Sequence, residues 1–147
     1  NPLTTSGIEL GRRLFYDPRL SADSTQACAD CHLQDFNFSD FNQFSTGIDG
    51  IQGDKNAMAI VNLAWQSTFF WDGRSITMEE QAIEPVINTI EMHDTWENVV
   101  SKLKADPMYQ YQFTKAFGRS SITQDNYTNS HRLLERVQLH TIILPKQ

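Results

Sequence analysis

The sequence is poor in cysteine, in basic residues and in long apolar runs. Its 147 residues include only two cysteines, so any cysteine-based site must use that one pair. The 12 lysines and arginines are outnumbered by 18 aspartates and glutamates, and the net charge of −6 argues against a nucleic-acid-binding surface. No apolar stretch approaches the roughly 20 residues of a membrane-spanning helix, so we expect no membrane span. The length suits a single domain over residues 1–147.

The two cysteines belong to one short motif, Cys28-Ala29-Asp30-Cys31-His32. This C-x-x-C-H pattern is the attachment motif of c-type haem. The two thiols add across the two vinyl groups on one porphyrin edge, and the two-residue gap matches that separation. The adjacent His32 then lies beneath the ring as the proximal iron ligand. We therefore predict one haem c, held covalently by Cys28 and Cys31, in a protein exported to the bacterial periplasm, where such attachment takes place.

Three other uses of the motif fit the sequence less well. A thioredoxin-like redox pair needs a preceding buried strand, and residues 14–27 show no strand pattern. A disulfide across two residues is strained and leaves the adjacent histidine unexplained. A zinc site needs a fourth ligand from His93, His131 or His140, none of which belongs to a second paired cluster.

Helical patterns account for most of the remaining chain. Capping patterns predict helices that begin at Ser6, Thr77, Asp94 and Asp106 and reach about Phe15, Pro85, Ala105 and Gly118. Further helices are predicted over residues 25–33 and 57–65, and a last one begins at Thr123 with an apolar stripe of Leu133, Leu134 and Val137. The predicted fold class is all-α, a cytochrome c-like haem domain with short helices and long irregular loops around one covalently bound haem.

Residues 34–57 show no clear period and form a long predicted loop. Loops of this length usually carry function or wrap a cofactor. This loop contains four phenylalanines among polar residues, at positions 36, 38, 41 and 44. We expect the series to form the wall of the haem pocket, with Phe44 in contact with the cofactor.

Several further stretches, taken together, resemble one known family. Residues 10–21, which read Leu-Gly-Arg-Arg-Leu-Phe-Tyr-Asp-Pro-Arg-Leu-Ser, precede the haem motif. The stretches that follow it are Phe70-Trp71-Asp72-Gly73-Arg74, Glu80-Gln81-Ala82 and Ile90-Glu91-Met92. In this order the set resembles the N-terminal haem domain of the bacterial di-haem cytochrome c peroxidases, including their methylamine-utilisation relatives. The resemblance covers about residues 2–126, and residues 121–147 are a C-terminal helix and tail that depart from the family pattern.

The resemblance implies a peroxidatic haem domain that binds and reduces hydrogen peroxide. Its electrons would come from a second haem domain or from a redox partner protein. Glu91 and Gln81 match the family's distal glutamate and glutamine, and Trp71 matches the tryptophan between the two haems. Asn56 matches an asparagine of the interdomain calcium site, although a turn-fixing role explains that residue equally well.

The residue types at these positions suit peroxide chemistry. Burial in a haem pocket raises the pKa of a carboxyl such as Glu91, which can then take a proton from peroxide and return it to the leaving oxygen. The amide of Gln81 can hold the substrate by hydrogen bonding, and the indole of Trp71 can relay electrons. On their own, the three residues would be a solvated acid, a surface helix residue and a packed core aromatic. Arg74 either holds a haem propionate or pairs with Asp72 in a turn.

Three features depart from the family pattern. A second C-x-x-C-H motif is absent, so the chain is one domain of a larger enzyme, one chain of a split enzyme or a self-standing mono-haem protein. Residues 33–57 contain no histidine. The sixth iron position is therefore permanently open or filled by Met58, Met92 or His93, among which Met92 is the leading choice. Residues 130–132 stand where small apolar residues are expected.

Two main hypotheses of function follow. The first is a peroxidase-type oxidoreductase with an open haem, which the Gln81, Glu91 and Trp71 set favours. The second is a mono-haem electron-transfer cytochrome c, with His32 and a methionine on a low-spin iron and no peroxidase activity, which the missing second haem favours. A weaker third is a domain that senses a small haem ligand. In each case an acidic chain pairs best with a basic redox donor.

Overall fold

The computed structural model describes residues 4–118 and 122–129. Its α-helices, in chain order, are α1 (Thr5–Phe15), α2 (Cys28–Cys31), α3 (Met78–Ile87), α4 (Trp96–Lys104) and α5 (Pro107–Phe117). Single 3₁₀ turns cover Pro18–Leu20, Gln34–Phe36 and Leu63–Trp65, and residues 124–129 are helical. Extended pairing in the described residues is limited to isolated bridges such as that between Leu33 and Ser39. The predicted all-α class is confirmed.

Three of the five predicted helix starts are confirmed. The Thr123 hydroxyl accepts the backbone N–H of Asn126 at 3.2 Å and begins the helix over residues 124–129. The Thr77 hydroxyl accepts a hydrogen bond from the backbone N–H of Glu80 at 3.1 Å and begins α3. The carboxylate of Asp106 accepts the N–H of Met108 at 2.8 Å, and Pro107 follows as the first residue of α5. Gly118 ends α5 with a φ of 73°, a left-handed conformation that favours glycine.

The other two predicted caps are wrong. Helix α1 begins earlier than Ser6, because the Thr4 hydroxyl accepts the N–H of Gly7 at 3.1 Å. Helix α4 is capped by Thr95 rather than by Asp94. The Asp94 carboxylate instead accepts a hydrogen bond from Lys102 Nζ at 2.7 Å, so the acid is used in a tertiary ion pair.

Two predicted helices are shorter than expected. The haem-motif helix covers only Cys28–Cys31 of the predicted residues 25–33, and only Leu63–Trp65 of residues 57–65 is helical. In residues 57–65 the backbone groups form hydrogen bonds with other parts of the chain instead of helical ones. The Ile60 N–H donates to Phe38 at 3.1 Å, and the Ala57 carbonyl accepts from the Ser39 hydroxyl at 2.7 Å. The stripe of the last helix, at positions 133, 134 and 137, and the departing residues 130–132 lie outside the described residues.

The short helix α2 lies between two hydrophobic clusters. The larger cluster joins α1, α3, α4 and α5 and includes Leu14, Val99 and Phe113, while the smaller contains Phe15, Ile60, Leu63 and Phe69. Cys28 packs against both clusters. The two packed units therefore fix the position of the motif that carries both cysteines.

A buried polar network ties the 3₁₀ turn at Pro18–Leu20 to α5. Tyr109 is fully buried and donates its hydroxyl hydrogen bond to the Asp17 carboxylate at 2.5 Å. Arg19 pairs with the same carboxylate at 2.7 Å and with Asp106 at 3.0 Å. Hydrogen bonds from Arg19 and Tyr109 overcome the desolvation of Asp17 and hold its pKa below the ordinary value. No helix among the described residues is long and apolar enough to cross a membrane.

Candidate functional site

A cleft opens beside α2 and is walled by residues from distant parts of the chain. It holds about 1250 Å³ of space between protein atoms, its open mouth included. Cys28, Cys31 and His32 line it together with Gln81 and Glu91. The structure thus brings the haem motif and the two distal residues of the sequence analysis to one place.

Helix α2 presents both thiols to this cleft. The Asp30 carboxylate accepts the backbone N–H of Ala27 at 2.7 Å and secures the helix start. Cys28 and Cys31 are not joined in a disulfide. Burial raises the pKa of the Cys31 thiol to about 11, so this group is a neutral S–H at neutral pH. Two unpaired thiols on one short helix fit covalent attachment to the two vinyl groups of a haem.

The ring of His32 is oriented by two backbone carbonyls. Its Nδ1 lies 3.0 Å from the carbonyl oxygen of Phe38 and 3.0 Å from that of Met58. Both partners are acceptors, so Nδ1 must carry the proton, which makes Nε2 the nitrogen with the lone pair. A metal-binding histidine requires this tautomer, and such an Nδ1–H···O=C bond is its usual support. The chain's residues therefore fit a haem with His32 as the proximal ligand.

Glu91 lies in the turn that follows α3, on the wall of the cleft. Burial raises the pKa of its carboxyl above the ordinary value, while a hydrogen bond from Asn88 and the charge of Arg74 act in the opposite direction. The bond from Asn88 Nδ2 to Glu91 Oε1 is 2.8 Å long. A half-buried carboxyl with a raised pKa holds a proton more readily than an exposed one, so it is a candidate for both accepting and donating a proton.

The loop over residues 45–53 supports Glu91 from the other side. The Ile48 N–H donates to the Glu91 carbonyl at 3.0 Å, and Gly47 lies directly against the backbone of Ile90 and Glu91. The same loop is tied to the haem motif. Gln26 Nε2 donates to the Thr46 carbonyl at 3.0 Å and to Cys31 Sγ at 3.4 Å.

Gln81 and Trp71 both line the cleft, from different elements. Gln81 belongs to α3 and is half-buried. Trp71 is 64% exposed, and its indole Nε1 donates to the Asn56 carbonyl at 2.8 Å. The simple interpretation of Trp71 as a packed core aromatic is therefore wrong, because only part of the indole is covered.

Asn56 and Arg74 both make structural contacts at the rim of the cleft. The Asn56 amide donates to the carbonyls of Asp40 and Asn42, at 3.0 and 2.6 Å, as a turn-fixing role requires. Arg74 bonds to Asp72 at 3.1 Å and to Glu84 at 2.8 Å. The predicted turn pair between Asp72 and Arg74 is thus present, and Arg74 also lines the cleft.

The residues that line the cleft do not include the predicted phenylalanine wall. Phe44 does not line the cleft, although its neighbours Ser45 and Thr46 do. Phe36 and Phe41 are exposed and contact each other, with ring centres 5.3 Å apart. Phe38 packs toward Phe15 in the smaller hydrophobic cluster. The loop reaches the cleft through small and polar residues instead, because its apolar side chains turn away from the opening.

The three proposed sixth ligands differ in position. Met92 is buried, 5% exposed, and lines the cleft beside Glu91. Met58 also lines the cleft, and its carbonyl oxygen accepts a hydrogen bond from His32 Nδ1. His93 is not part of the lining, and its Nδ1 lies 2.5 Å from the Asp49 carboxylate at the surface. Met92 and Met58 are therefore the two proposed ligands that line the cleft, and Met92 is the one next to Glu91 in the chain.

Two residues of the site were missed by sequence reasoning. Asn88 contacts Glu91 directly, and an asparagine just after a helix, three residues before an acid, is a recognisable turn pattern. Gly47 carries no such signal. Its role is a close approach between two backbone segments that are distant in sequence, and only the folded chain shows that approach.

Comparisons with known proteins identify the family of the chain. A sequence model of the di-haem cytochrome c peroxidase family matches residues 5–141. The chain is 36% identical over 142 residues to the methylamine utilization protein MauG of Methylophilus methylotrophus, covering 97% of this chain and 42% of that protein. It is 35% identical over 145 residues to the cytochrome c peroxidase Ccp of Escherichia coli K12, covering 98% of this chain and 30% of that protein.

Solved structures give the same result. A MauG-like protein associated with microbial copper homeostasis superposes with a TM-score of 0.86 at 33% identity, over 92% of this chain and 41% of that chain. The chain thus spans less than half the length of the relatives that it matches. The family model covers residues 5–141, which is most of the chain. The chain belongs to the di-haem cytochrome c peroxidase family.

Proposed function

We propose that residues 1–147 form one mono-haem domain that binds and reduces hydrogen peroxide, with Glu91 as the acid/base. One observation carries this proposal most directly. The carboxyl of Glu91, whose pKa burial raises, lines the same cleft as Cys28, Cys31 and His32. An electron carrier has no use for a proton-transferring group at this place, whereas peroxide reduction requires one.

The haem supplies a binding position for peroxide and a route for electrons, and the chain's residues manage the protons. Reduction breaks the O–O bond and consumes two electrons and two protons for each pair of waters formed. Glu91 takes a proton from the oxygen that stays and delivers it to the oxygen that leaves. The electrons come from a redox partner protein or from a second haem domain.

Two further residues complete the proposed site. The Gln81 amide, on α3 in the wall of the cleft, holds the substrate by hydrogen bonding but carries no transferable proton. Trp71, at the exposed end of the cleft, provides an oxidisable indole through which electrons enter. Its bond to the Asn56 carbonyl fixes the indole orientation.

The remaining roles also belong to this proposal. One haem c attaches through Cys28 and Cys31, with His32 as the proximal ligand, and attachment of this kind takes place in the periplasm. Arg74 holds a propionate at the rim that it lines. Asn56 contributes to a calcium site only with ligands from elsewhere, because its neighbourhood in the described residues holds no group of three metal-binding side chains.

A second candidate function rests on the position of Met92. This buried thioether lines the cleft next to Glu91, so it could fill the sixth iron position. The protein would then be an electron-transfer cytochrome with a low-spin haem and no peroxidase activity.

The visible spectrum of the ferric haem protein separates the two functions. Peroxide reduction requires an open position, so we expect a high-spin spectrum that shifts when cyanide binds. A low-spin spectrum with a methionine–iron band in the red would refute the peroxidase proposal. Met92→Ala is the matched test: it should leave the spectrum of an open site unchanged and convert a methionine-ligated haem to high spin.

A further inference from the structure

Asn88 uses each of its polar groups to build the turn that carries Glu91. Its N–H donates to the Glu84 carbonyl at 2.9 Å, which closes the last turn of α3. Its carbonyl accepts the N–H groups of Glu91 and His93, both at 3.0 Å. Its side-chain Oδ1 accepts the N–H of Ile90 at 3.0 Å. The backbone of residues 88–93 is therefore organised around this one asparagine.

The remaining group of Asn88 reaches the carboxyl of Glu91. Nδ2 donates to Glu91 Oε1 over 2.8 Å. The orientation of an amide side chain is assigned from its hydrogen-bond partners, and the partners of Asn88 Oδ1 and Nδ2 support the same orientation. The Ile90 N–H requires an acceptor, which must be Oδ1, so the donating nitrogen faces the carboxyl.

This contact defines how the carboxyl can act. A hydrogen bond to an ionised acceptor is short and strong, and it holds Oε1 in place. With Oε1 anchored, the plane of the carboxyl is fixed and proton transfer is left to Oε2. Proton transfer depends on such placement, since a displacement of about 1 Å can lower a rate by roughly 100-fold.

We infer that Asn88 is a positioning residue of the peroxide site, which holds the Glu91 carboxyl in the orientation for proton transfer. The inference rests on the proposed acid/base role of Glu91. Asn88 does not take part in the reaction itself, and its effect passes entirely through the glutamate.

Two substitutions remove the amide donor and keep an acceptor for the Ile90 N–H. Asn88→Ser leaves a short hydroxyl for the turn but no amide nitrogen to reach Glu91. Asn88→Asp also keeps the turn, and it places a second carboxylate against the first. Asn98→Asp is the matched control, because Asn98 Nδ2 also donates to an acid, Asp94, at 2.8 Å, and neither residue lines the cleft.

The test is the rate constant for the reaction of the ferric haem protein with hydrogen peroxide. We expect Asn88→Ser to lower it roughly tenfold, the order of one hydrogen bond to a charged group, and Asn88→Asp to lower it further. Asn98→Asp should react as the wild type does. If both Asn88 variants react with the wild-type rate constant while Glu91→Gln reacts slowly, the inference is overturned but the proposed function is not.

A double variant separates positioning from a general structural effect. If Asn88 acts through Glu91, then Asn88→Ser should cause no further loss in a Glu91→Gln background. An equal loss in both backgrounds overturns the inference. A wild-type rate in Glu91→Gln alone overturns the proposed function and the inference with it.

A crystal structure of haem-loaded Asn88→Ser provides a readout besides activity. We expect the turn of residues 88–93 to persist and the Glu91 side chain to leave its present orientation. An unchanged Glu91 side chain overturns the inference, whatever the rate.

Discussion

Gly47 is the point at which the loop of residues 45–53 touches the backbone that carries Glu91. A Cβ atom at this position would lie 1.8 Å from the Ile90 carbonyl oxygen and 2.6 Å from that of Glu91. Ordinary carbon–oxygen contacts lie at about 3.3–3.6 Å. In Gly47→Ala the two segments must therefore separate by about 1.5 Å. Both obstructing atoms are backbone, so no side-chain rotation relieves the clash.

The expected effects of Gly47→Ala follow from this separation. Overpacking lowers the free energy of unfolding by about 1–3 kcal/mol, and the melting temperature falls by about 2–4 °C for each kcal/mol. The Ile48–Glu91 hydrogen bond is lost or lengthened, and the Glu91 carboxyl moves with its backbone. A displacement of this size lowers the rate constant for peroxide by roughly 100-fold. The haem stays attached, because α2 is not part of the contact.

Stopped-flow absorbance with peroxide measures the rate constant, and two glycines of the same loop provide controls. At Gly53 an added Cβ meets only the Ser45 carbonyl oxygen at 3.6 Å, so Gly53→Ala should retain the wild-type rate. Gly50→Ala should lose about 1–2 kcal/mol of stability, because φ is 72° there, but should also keep its rate. If Gly47→Ala reacts and melts as Gly53→Ala does, the packing of this loop against Glu91 is refuted.

Three further predictions concern stability and association. Tyr109→Phe should lower the free energy of unfolding by about 1.5–3 kcal/mol in chemical denaturation, since it removes a buried hydrogen bond to the Asp17 carboxylate, whereas Tyr111→Phe, at an exposed position, should cost little. The pKa values of Asp17 and Asp94 are lowered in the folded chain, so both stabilise it above pH 3.8, and the melting temperature should fall as the pH drops below that value. Asp94→Asn should weaken this fall of the melting temperature at acid pH, and an unchanged dependence of the melting temperature on pH would contradict the role of Asp94. Electron transfer from a basic donor protein should slow as salt is raised, because the chain carries a net charge of −6, and a salt-independent rate would exclude electrostatic pairing.

The helical class and several boundaries follow from local patterns. Asp106-Pro107 at the start of α5 and Gly118 at its end act within one turn of chain, so they can be recognised in the sequence. The start of α4 could not be predicted in this way. Asp94 has a side chain suited to capping, but its carboxylate accepts a hydrogen bond from Lys102 Nζ. The neighbouring Thr95 caps the helix instead.

The residues of the site also differ in whether a local sequence pattern identifies them. Cys28, Cys31 and His32 carry their chemistry in a five-residue motif, and Glu91 and Gln81 were found through the family resemblance. The phenylalanines of the long loop are not among the residues that line the cleft, because apolar character alone does not determine which of several apolar clusters a side chain joins. Phe38 joins the cluster around Phe15 and Ile60, and Phe36 and Phe41 contact each other outside the cleft.

The acid/base role of Glu91 is the central claim, and one comparison tests it most directly. Ferric haem protein is mixed with hydrogen peroxide under stopped-flow conditions, as the wild type and as Glu91→Gln, with covalent haem content measured in both. Glutamine has nearly the same shape but no transferable proton. We predict that the rate constant is lower by about 10²–10⁴ in the variant, at equal haem content. Equal rate constants in the two proteins would contradict it.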